Sequence, residues 1–202
     1  MKTVYVMPEH CIGCKHCEIA CSIEHSESKN LFAAIFEEPL PTPRIHVMPS
    51  VGIMTYPGKC RQCYPTPCIN VCPSGALNRD RETETILINE EKCIACGMCA
   101  IACPLDAITF HPSWKVSLDR EVAIKCDNCQ DRISVGLNPA CVDACKTMAL
   151  NYGDINEIIK EDRRTVAQKV AAVETEIRPE IPGLIKLWRD LGFSMMQVGM
   201  EK

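Results

Sequence analysis

The chain has 202 residues, of which 24% are charged, and its formal net charge is −4. It contains no basic stripe of the kind that binds nucleic acid, and no apolar run approaches the ~18 residues that a membrane-spanning helix needs. The first residues also lack the apolar core of a signal peptide. The sequence therefore predicts a cytoplasmic protein without a nucleic-acid partner or a transmembrane segment, which reaches a membrane only peripherally, through a partner.

The N-terminal part begins with a β-branched stretch that predicts a strand at 3–7. The first group of cysteines follows it and comprises Cys11, Cys14, Cys17 and Cys21, with Ser22 after the last. Residues 22–59 are rich in proline, which favours a surface loop over a helix. A second short strand is predicted inside this insertion, at 44–48.

The central part holds two further groups, with a predicted strand at 83–89 between them. They are Cys60, Cys63, Cys68 and Cys72, and then Cys93, Cys96, Cys99 and Cys103. With Pro104, the third group reads C-x2-C-x2-C-x3-C-P. This is the ferredoxin spacing in which three thiolates bind one iron–sulfur cluster and the fourth binds a neighbouring one. The first group has this spacing without the proline, and the second has two extra residues between its middle cysteines.

The fourth group follows predicted strands at 107–111 and 121–125, and comprises Cys126, Cys129, Cys141 and Cys145. Taken alone, its long central gap also fits a zinc ribbon or a rubredoxin-like iron site. An iron–sulfur cluster is favoured in context. Each of the other three groups donates its last cysteine elsewhere, so a fourth group is needed to complete four ligands per cluster.

All 16 cysteines fall into these groups. Disulfides are disfavoured because cysteines three residues apart rarely meet the geometry of a disulfide. The last three groups share a C-x3-C segment followed, four residues after its last cysteine, by Ala76, Ala107 or Ala149. The C-x3-C spacing predicts a helical turn that leads away from each cluster. The small alanine side chain predicts that the backbone lies close to the cluster. Aromatic residues are only 5% of the chain, which agrees with clusters filling part of the core.

Because two-cluster ferredoxins exchange their last cysteines, the groups must pair. The second and third groups are close in sequence with a hairpin between them, which leaves the first to pair with the fourth. Pairing the first with the second and the third with the fourth stays open as an alternative. The four predicted ligand sets are Cys11, Cys14, Cys17 and Cys145; Cys60, Cys63, Cys68 and Cys103; Cys93, Cys96, Cys99 and Cys72; and Cys126, Cys129, Cys141 and Cys21.

The predicted fold class is α+β, with two ferredoxin-like [4Fe–4S] units built of short β hairpins and helices. The outer unit comprises 1–59 and 104–153, including the proline-rich insertion at 22–59, and the inner unit comprises 60–103. Residues 154–202 form a helical C-terminal extension, because apolar residues recur there at helical spacing from Ile155 to Ile177 and again from Leu184 to Leu191. This extension either packs on the chain's own core or docks onto a partner.

Two kinds of residue next to the cysteines have two interpretations each. His16 either tunes a cluster by hydrogen bonding or is a plain surface residue. Five lysines adjoin ligands and either raise cluster potentials through their charge or are simply solvated. They are Lys15, Lys59, Lys92, Lys125 and Lys146.

Two segments resemble a known family closely. Residues 59–76 and 125–132 are similar to the second and fourth motifs of the four-cluster ferredoxin-type electron-transfer subunits, such as the small subunits of dimethyl sulfoxide reductase and formate dehydrogenase. The resemblance covers roughly residues 3–154 and implies the same nested pairing of motifs. Lys146 departs from the family, in which proline often follows the last cysteine. Within the family, the stretch from His10 to Leu31 most resembles the iron–sulfur protein of carbon monoxide dehydrogenase (CooF).

The sequence thus predicts an electron-transfer subunit that is not itself an enzyme, since neither a dinucleotide-binding nor a phosphate-binding loop is present. The resemblance implies four [4Fe–4S] clusters, a carbon monoxide dehydrogenase as donor and an acceptor such as a hydrogenase. Alternative partners are a formate dehydrogenase, a hydrogenase or a molybdenum reductase. A filament-forming, electron-conducting scaffold and a cluster-based redox sensor are the alternative functions.

Overall fold

The structure is a computed structural model that describes residues 2–50 and 54–174. The chain divides into two compact units, Met1–Ile155 and Asn156–Lys202. The first unit combines short helices with antiparallel strand pairs, as expected for small ferredoxin-like domains, so the predicted α+β class is confirmed. All the cysteines lie in this first unit.

The strands of the described residues form four antiparallel pairs, β1 with β8, β2 with β3, β4 with β5 and β6 with β7. They are β1 (Lys2–Val6), β2 (Ile45–Pro49), β3 (Thr55–Lys59), β4 (Leu77–Arg79), β5 (Ile86–Ile88), β6 (Thr109–Ser113), β7 (Ser117–Ile124) and β8 (Leu150–Asp154). All five predicted strands are present, as β1, β2, β5, β6 and β7. The pairing of β1 with β8 is not local and places the chain before the first cysteine group beside the chain after the fourth.

The helices of the first unit are short, and four of them carry cysteines. They are α1 (His16–Glu24), α2 (Leu31–Ala34), α3 (Pro67–Asn70), α4 (Met98–Ile101), α5 (Gln130–Ser134) and α6 (Ala140–Asp143). The predicted helical turns in the C-x3-C segments are therefore confirmed as α3, α4 and α6. Helix α1 is longer and runs past Cys21, where Ser22, unlike a proline, allows the helix to continue.

The turn after each C-x3-C segment is the same in the last three groups. The third residue after the last cysteine has a left-handed backbone, with φ of 63° at Gly75, 47° at Asp106 and 57° at Met148. The fourth group forms this turn with Lys146 in place of proline. Proline at this position is therefore not needed to turn the chain back towards the site.

The insertion at 22–59 is more ordered than the predicted surface loop. It contains α2 and the paired strands β2 and β3, and Ile45 and Val47 of β2 are buried. The density of proline misled the sequence argument because most of the prolines lie between elements or at strand ends, where no backbone donor is needed.

Two separate apolar clusters form the core, and each contains cysteines. The first comprises Val4, Cys17, Cys21, Ile45, Val47, Cys141 and Leu150. The second comprises Cys68, Ala76, Leu77, Ile86, Cys93, Cys99, Ile108, Val122 and Ala123. The first cluster joins groups one and four and the second joins groups two and three. Ile108, Val122 and Ala123 pack with the second cluster although they lie outside the range 60–103 predicted for the inner unit.

Helix α7 (Ile155–Glu174) lies in the second compact unit except for its first residue, and it matches the first part of the predicted helical extension. Val166 and Val170 on this helix are exposed. The second amphipathic stretch, at 184–191, lies outside the described residues, and docking of the extension onto a partner stays a prediction. None of the helices in the described ranges is long and apolar enough to cross a membrane.

We predict that Ile86→Ala destabilises the first unit, because Ile86 is 1% exposed in the core around groups two and three. The expected loss of unfolding free energy is about 2–5 kcal/mol, the usual cost of truncating a buried isoleucine. Urea unfolding under anaerobic conditions, followed by circular dichroism, measures it. The matched control is Ile101→Ala, which removes a side chain that is 81% exposed and should change stability by less than about 0.5 kcal/mol. Equal losses in the two variants would contradict the packing described above.

Candidate metal centres

The thiols of the first and third groups converge on two small cavities, each with one cysteine from another group. Cys11, Cys14 and Cys17 line the first cavity together with Cys145, the last cysteine of the fourth group. Cys93, Cys96 and Cys99 line the second together with Cys72, the last cysteine of the second group. We refer to these arrangements as the first site and the third site.

Two more groups of thiols are identified by the nearby thiols that shift the pKa of a buried cysteine. Burial, and then the nearby Cys60 and Cys103 thiols, raise the pKa of Cys68. Cys63 lies on the same loop as Cys60, and these four cysteines are called the second site. Burial also raises the pKa of Cys141, with further increases from the thiols of the fourth site, which comprises Cys126, Cys129, Cys141 and Cys21.

The same local backbone opens all four sites. The residue before the second cysteine is in the left-handed region each time, with φ of 72° at Gly13, 55° at Gln62, 54° at Ala95 and 57° at Asn128. Only glycine adopts this conformation without strain, and three of the four positions carry another residue. The fourth group, whose spacing alone left zinc open, therefore begins with the same C-x2-C loop as the ferredoxin-spaced third group.

Hydrogen-bond donors point at the sulfur atoms, as they do around thiolates that bind metal clusters. The backbone N–H groups of Arg44, Ala107 and Ala123 donate to Cys21, Cys103 and Cys93 at 3.2, 3.4 and 3.4 Å. The Thr55 hydroxyl donates to the Cys11 sulfur at 3.1 Å. Four convergent thiols with such donors fit a [4Fe–4S] cluster, because the donors stabilise the negative charge on sulfur.

Most of the perturbed thiols resist ionisation before a metal binds. Burial raises the pKa of Cys17 and Cys99 to about 11 and that of Cys129 to about 12. Cys72 is the exception, because backbone N–H groups and the Ser74 hydroxyl outweigh burial and lower its pKa. Since only thiolates bind these metals, occupation of the sites must release protons.

A charged network that the sequence did not reveal surrounds the fourth site. The Asp127 carboxylate accepts from Arg44 Nη1 at 2.5 Å and from the backbone N–H of Cys129 at 2.9 Å, and it lies 3.2 Å from His25 Nε2. Although burial opposes it, the bond with His25 and the charge of Arg44 hold the pKa of Asp127 well below its usual range. His25 Nδ1 lies 2.8 Å from the Cys21 carbonyl oxygen.

His25 thus lies beside the fourth site, and the sequence argument did not single it out. His16 is exposed at the start of α1 and also lines the cavity of the first site, so both of its interpretations stay open. His25, Asp127 and Cys129 also lie close enough together to share a metal ion. We assign no separate ion to them, because Cys129 belongs to the fourth site and Asp127 is already paired with Arg44. Only the spacing of His25 from Cys21, one helical turn, is a signal in the sequence.

The two extra residues of the second motif fold into a turn that Arg79 stabilises. The Thr66 hydroxyl donates to the Cys63 carbonyl at 2.9 Å, and Arg79 Nη2 donates to the same carbonyl and to Thr66 Oγ1. The arginine comes from β4, outside the motif. These hydrogen bonds hold the longer segment between Cys63 and Cys68 in a defined turn.

Comparison with known proteins agrees with this geometry. Residues 51–155 match the family described as the 4Fe–4S dicluster domain, and residues 8–24 match a 4Fe–4S binding domain. The chain is 35% identical over 182 residues to an iron–sulfur protein of Rhodospirillum rubrum, covering 87% of this chain and 94% of that protein. It is 39% identical over 169 residues to the electron transport protein HydN of Escherichia coli, covering 78% and 92%.

A third relative is the thiosulfate reductase electron transfer subunit PhsB of Salmonella typhi, which is 31% identical over 189 residues and is covered over 91% of its length. The two matched domains together include all four cysteine groups, and two of these three relatives are named for electron transport or transfer. The chain therefore belongs to the 4Fe–4S dicluster family and is an electron-transfer iron–sulfur protein that binds [4Fe–4S] clusters.

Proposed function

We propose that this protein holds four [4Fe–4S] clusters in the four sites and passes electrons along them between a catalytic oxidoreductase and an acceptor. The nested exchange of cysteines carries this proposal. Cys145 lies in the first site and Cys72 in the third, while Cys103 neighbours Cys68 in the second and Cys21 neighbours Cys126 and Cys129 in the fourth. These neighbours support the nested pairing that the sequence argument predicted.

When clusters are bound, they supply one-electron chemistry, and the protein supplies their spacing and surroundings. Helix α1 carries Cys17 of the first site and Cys21 of the fourth. Helix α3 carries Cys68 of the second site and ends shortly before Cys72 of the third, and α4 carries Cys99 of the third site and ends shortly before Cys103 of the second. The second and fourth sites meet directly, because Gln62 Nε2 donates to the Cys126 carbonyl at 3.0 Å. These links support a row in the order first, fourth, second, third.

The two ends of this row are the most accessible thiol sites. Cys14 of the first site and Cys96 of the third are exposed, and they are the only cysteines in that class among the described residues. Each lies beside an exposed isoleucine, Ile12 or Ile94. We infer that electrons enter and leave at these ends, where an apolar partner surface would exclude water from the transfer path.

We propose a carbon monoxide dehydrogenase as the donor, because the first motif and the segment after it resemble the iron–sulfur protein of that enzyme. The acceptor would be a hydrogenase or another redox protein. A formate dehydrogenase, a hydrogenase or a molybdenum reductase is the alternative partner, and the thiosulfate reductase subunit among the relatives supports that wider class. Anaerobic purification with associated proteins, followed by their identification, tests the choice.

We predict that the anaerobically purified protein is brown and contains about sixteen iron and about sixteen acid-labile sulfide atoms, four of each per cluster. It should be reduced by dithionite and reoxidised without loss of iron. Metal analysis and paramagnetic resonance measure this. Zinc in place of iron, or about eight iron atoms per chain, would contradict the four-cluster proposal.

We also predict that Cys145→Ser damages the cluster of the first group and leaves the clusters of the second and third groups intact. The variant should lose up to about a quarter of its iron, because serine is a poorer ligand for this cluster than a thiolate. Paramagnetic resonance during a redox titration identifies the missing signal. In the matched variant Cys103→Ser a different signal, that of the second site, should be lost. Loss of the same signal in both variants would exclude the nested pairing.

A further inference from the structure

Two of the five lysines next to cysteines are buried, and the other three are exposed. Lys59 is 5% exposed and Lys125 is 3% exposed, whereas Lys15, Lys92 and Lys146 are open to solvent. The two buried lysines occupy equivalent positions, since each ends a hairpin and immediately precedes the first cysteine of its motif. Lysine is rarely buried unless its charge is compensated.

The ammonium groups of both lysines lie where the second and fourth sites meet. Lys59 Nζ donates to the Cys60 carbonyl at 3.1 Å and to Asn128 Oδ1 of the fourth motif at 3.5 Å. Lys125 Nζ donates to the Cys126 carbonyl at 2.9 Å and to the Ile86 carbonyl of β5. Lys59 thus bonds to its own motif and to the fourth motif. Lys125 bonds to its own motif and to Ile86, which packs in the core around groups two and three.

Neutral oxygens alone accept from these two cations in the described part of the chain, 2–50 and 54–174. A buried charge is costly unless an opposite charge compensates it. The nearest candidates are the thiolates of the two sites. Burial raises the pKa of Cys141 in the fourth site and Lys59 lowers it, and Lys125 has the same lowering effect on Cys68 in the second site.

Resting on the proposed four-cluster function, we propose that Lys59 and Lys125 are the counter-cations of the second and fourth clusters and raise the reduction potentials of both. Four thiolates outweigh the positive charge of an iron–sulfur core, so each cluster is an anion, and gaining one electron makes it more negative. A nearby buried cation stabilises the reduced form more than the oxidised form. The electron comes from the neighbouring cluster, and no covalent bond forms or breaks.

The position of the lysines makes the reduction potentials uneven along the row of clusters. The two clusters in the middle of the row, at the second and fourth sites, are called the inner clusters here and lie close to buried positive charge. The clusters at the two ends, at the first and third sites, lie near exposed lysines whose charge is screened by water. An electron is therefore held in the middle of the protein, away from the exposed Cys14 and Cys96 ends. The lysines act on potential and not on a reacting substrate, so they are tuning residues.

The test compares Lys59→Met and Lys125→Met with Lys92→Met in the cluster-loaded protein. Lys92 also immediately precedes the first cysteine of its motif but is exposed, which makes it a matched control. Redox titration followed by paramagnetic resonance should show that Lys59→Met and Lys125→Met each lower the equilibrium constant for reduction of an inner cluster at least tenfold. This corresponds to about 59 mV for a one-electron couple. Lys92→Met should leave all potentials unchanged.

Full iron content with wild-type potentials in both buried-site variants would overturn the proposal and leave the four-cluster function standing. Absence of iron from the wild-type protein would overturn that function first. If the Met variants lose an inner cluster, Lys59→Arg and Lys125→Arg decide the outcome. Retention of the cluster by the Arg variants supports a requirement for positive charge, and loss in them as well means that side-chain shape is required and the proposal is wrong.

Discussion

The proposed exchange of last cysteines between distant motifs is the constraint on which the rest of the structure depends. Cys21 and Cys145 place residues from opposite ends of the first unit side by side, and the β1–β8 pairing brings the same two segments together. A metal centre bound by both segments closes a loop that spans most of that unit. Such a centre contributes to folding directly, which is how a chain with few aromatic residues forms two small cores that each contain cysteines.

The boundary between the two ferredoxin-like halves is polar, unlike the cores of the halves themselves. Gln62 and Asn128 occupy the same position in motifs two and four and are both 2% exposed. Gln62 accepts from the Ile86 N–H at 2.8 Å and donates to the Cys126 carbonyl. Because buried polar groups are costly unless they are bonded, this network fixes how the second and fourth sites face each other. It would therefore set the separation of clusters bound at these two sites.

Much of this arrangement could be predicted from the sequence because its signals are local. Cysteine spacing indicated the helical turns that became α3, α4 and α6, and β-branched runs indicated five strands. The contact of Arg79 with the second motif and the His25–Asp127–Arg44 network could not be predicted, because they join residues far apart in the chain. Strand β3, which pairs with the predicted β2, was missed because its sequence contains a proline and a glycine. The burial of Lys59 and Lys125, in contrast to Lys92, was also hidden, since all three have the same neighbour in sequence.

X-ray diffraction at the iron absorption edge, on crystals grown without oxygen, tests the central claim most directly. The account predicts four separate iron peaks in a row, in the order of the first, fourth, second and third sites. The Cys145 sulfur should lie on the first peak and the Cys72 sulfur on the third. Fewer than four peaks, or peaks each surrounded by the four cysteines of one motif alone, would contradict the account.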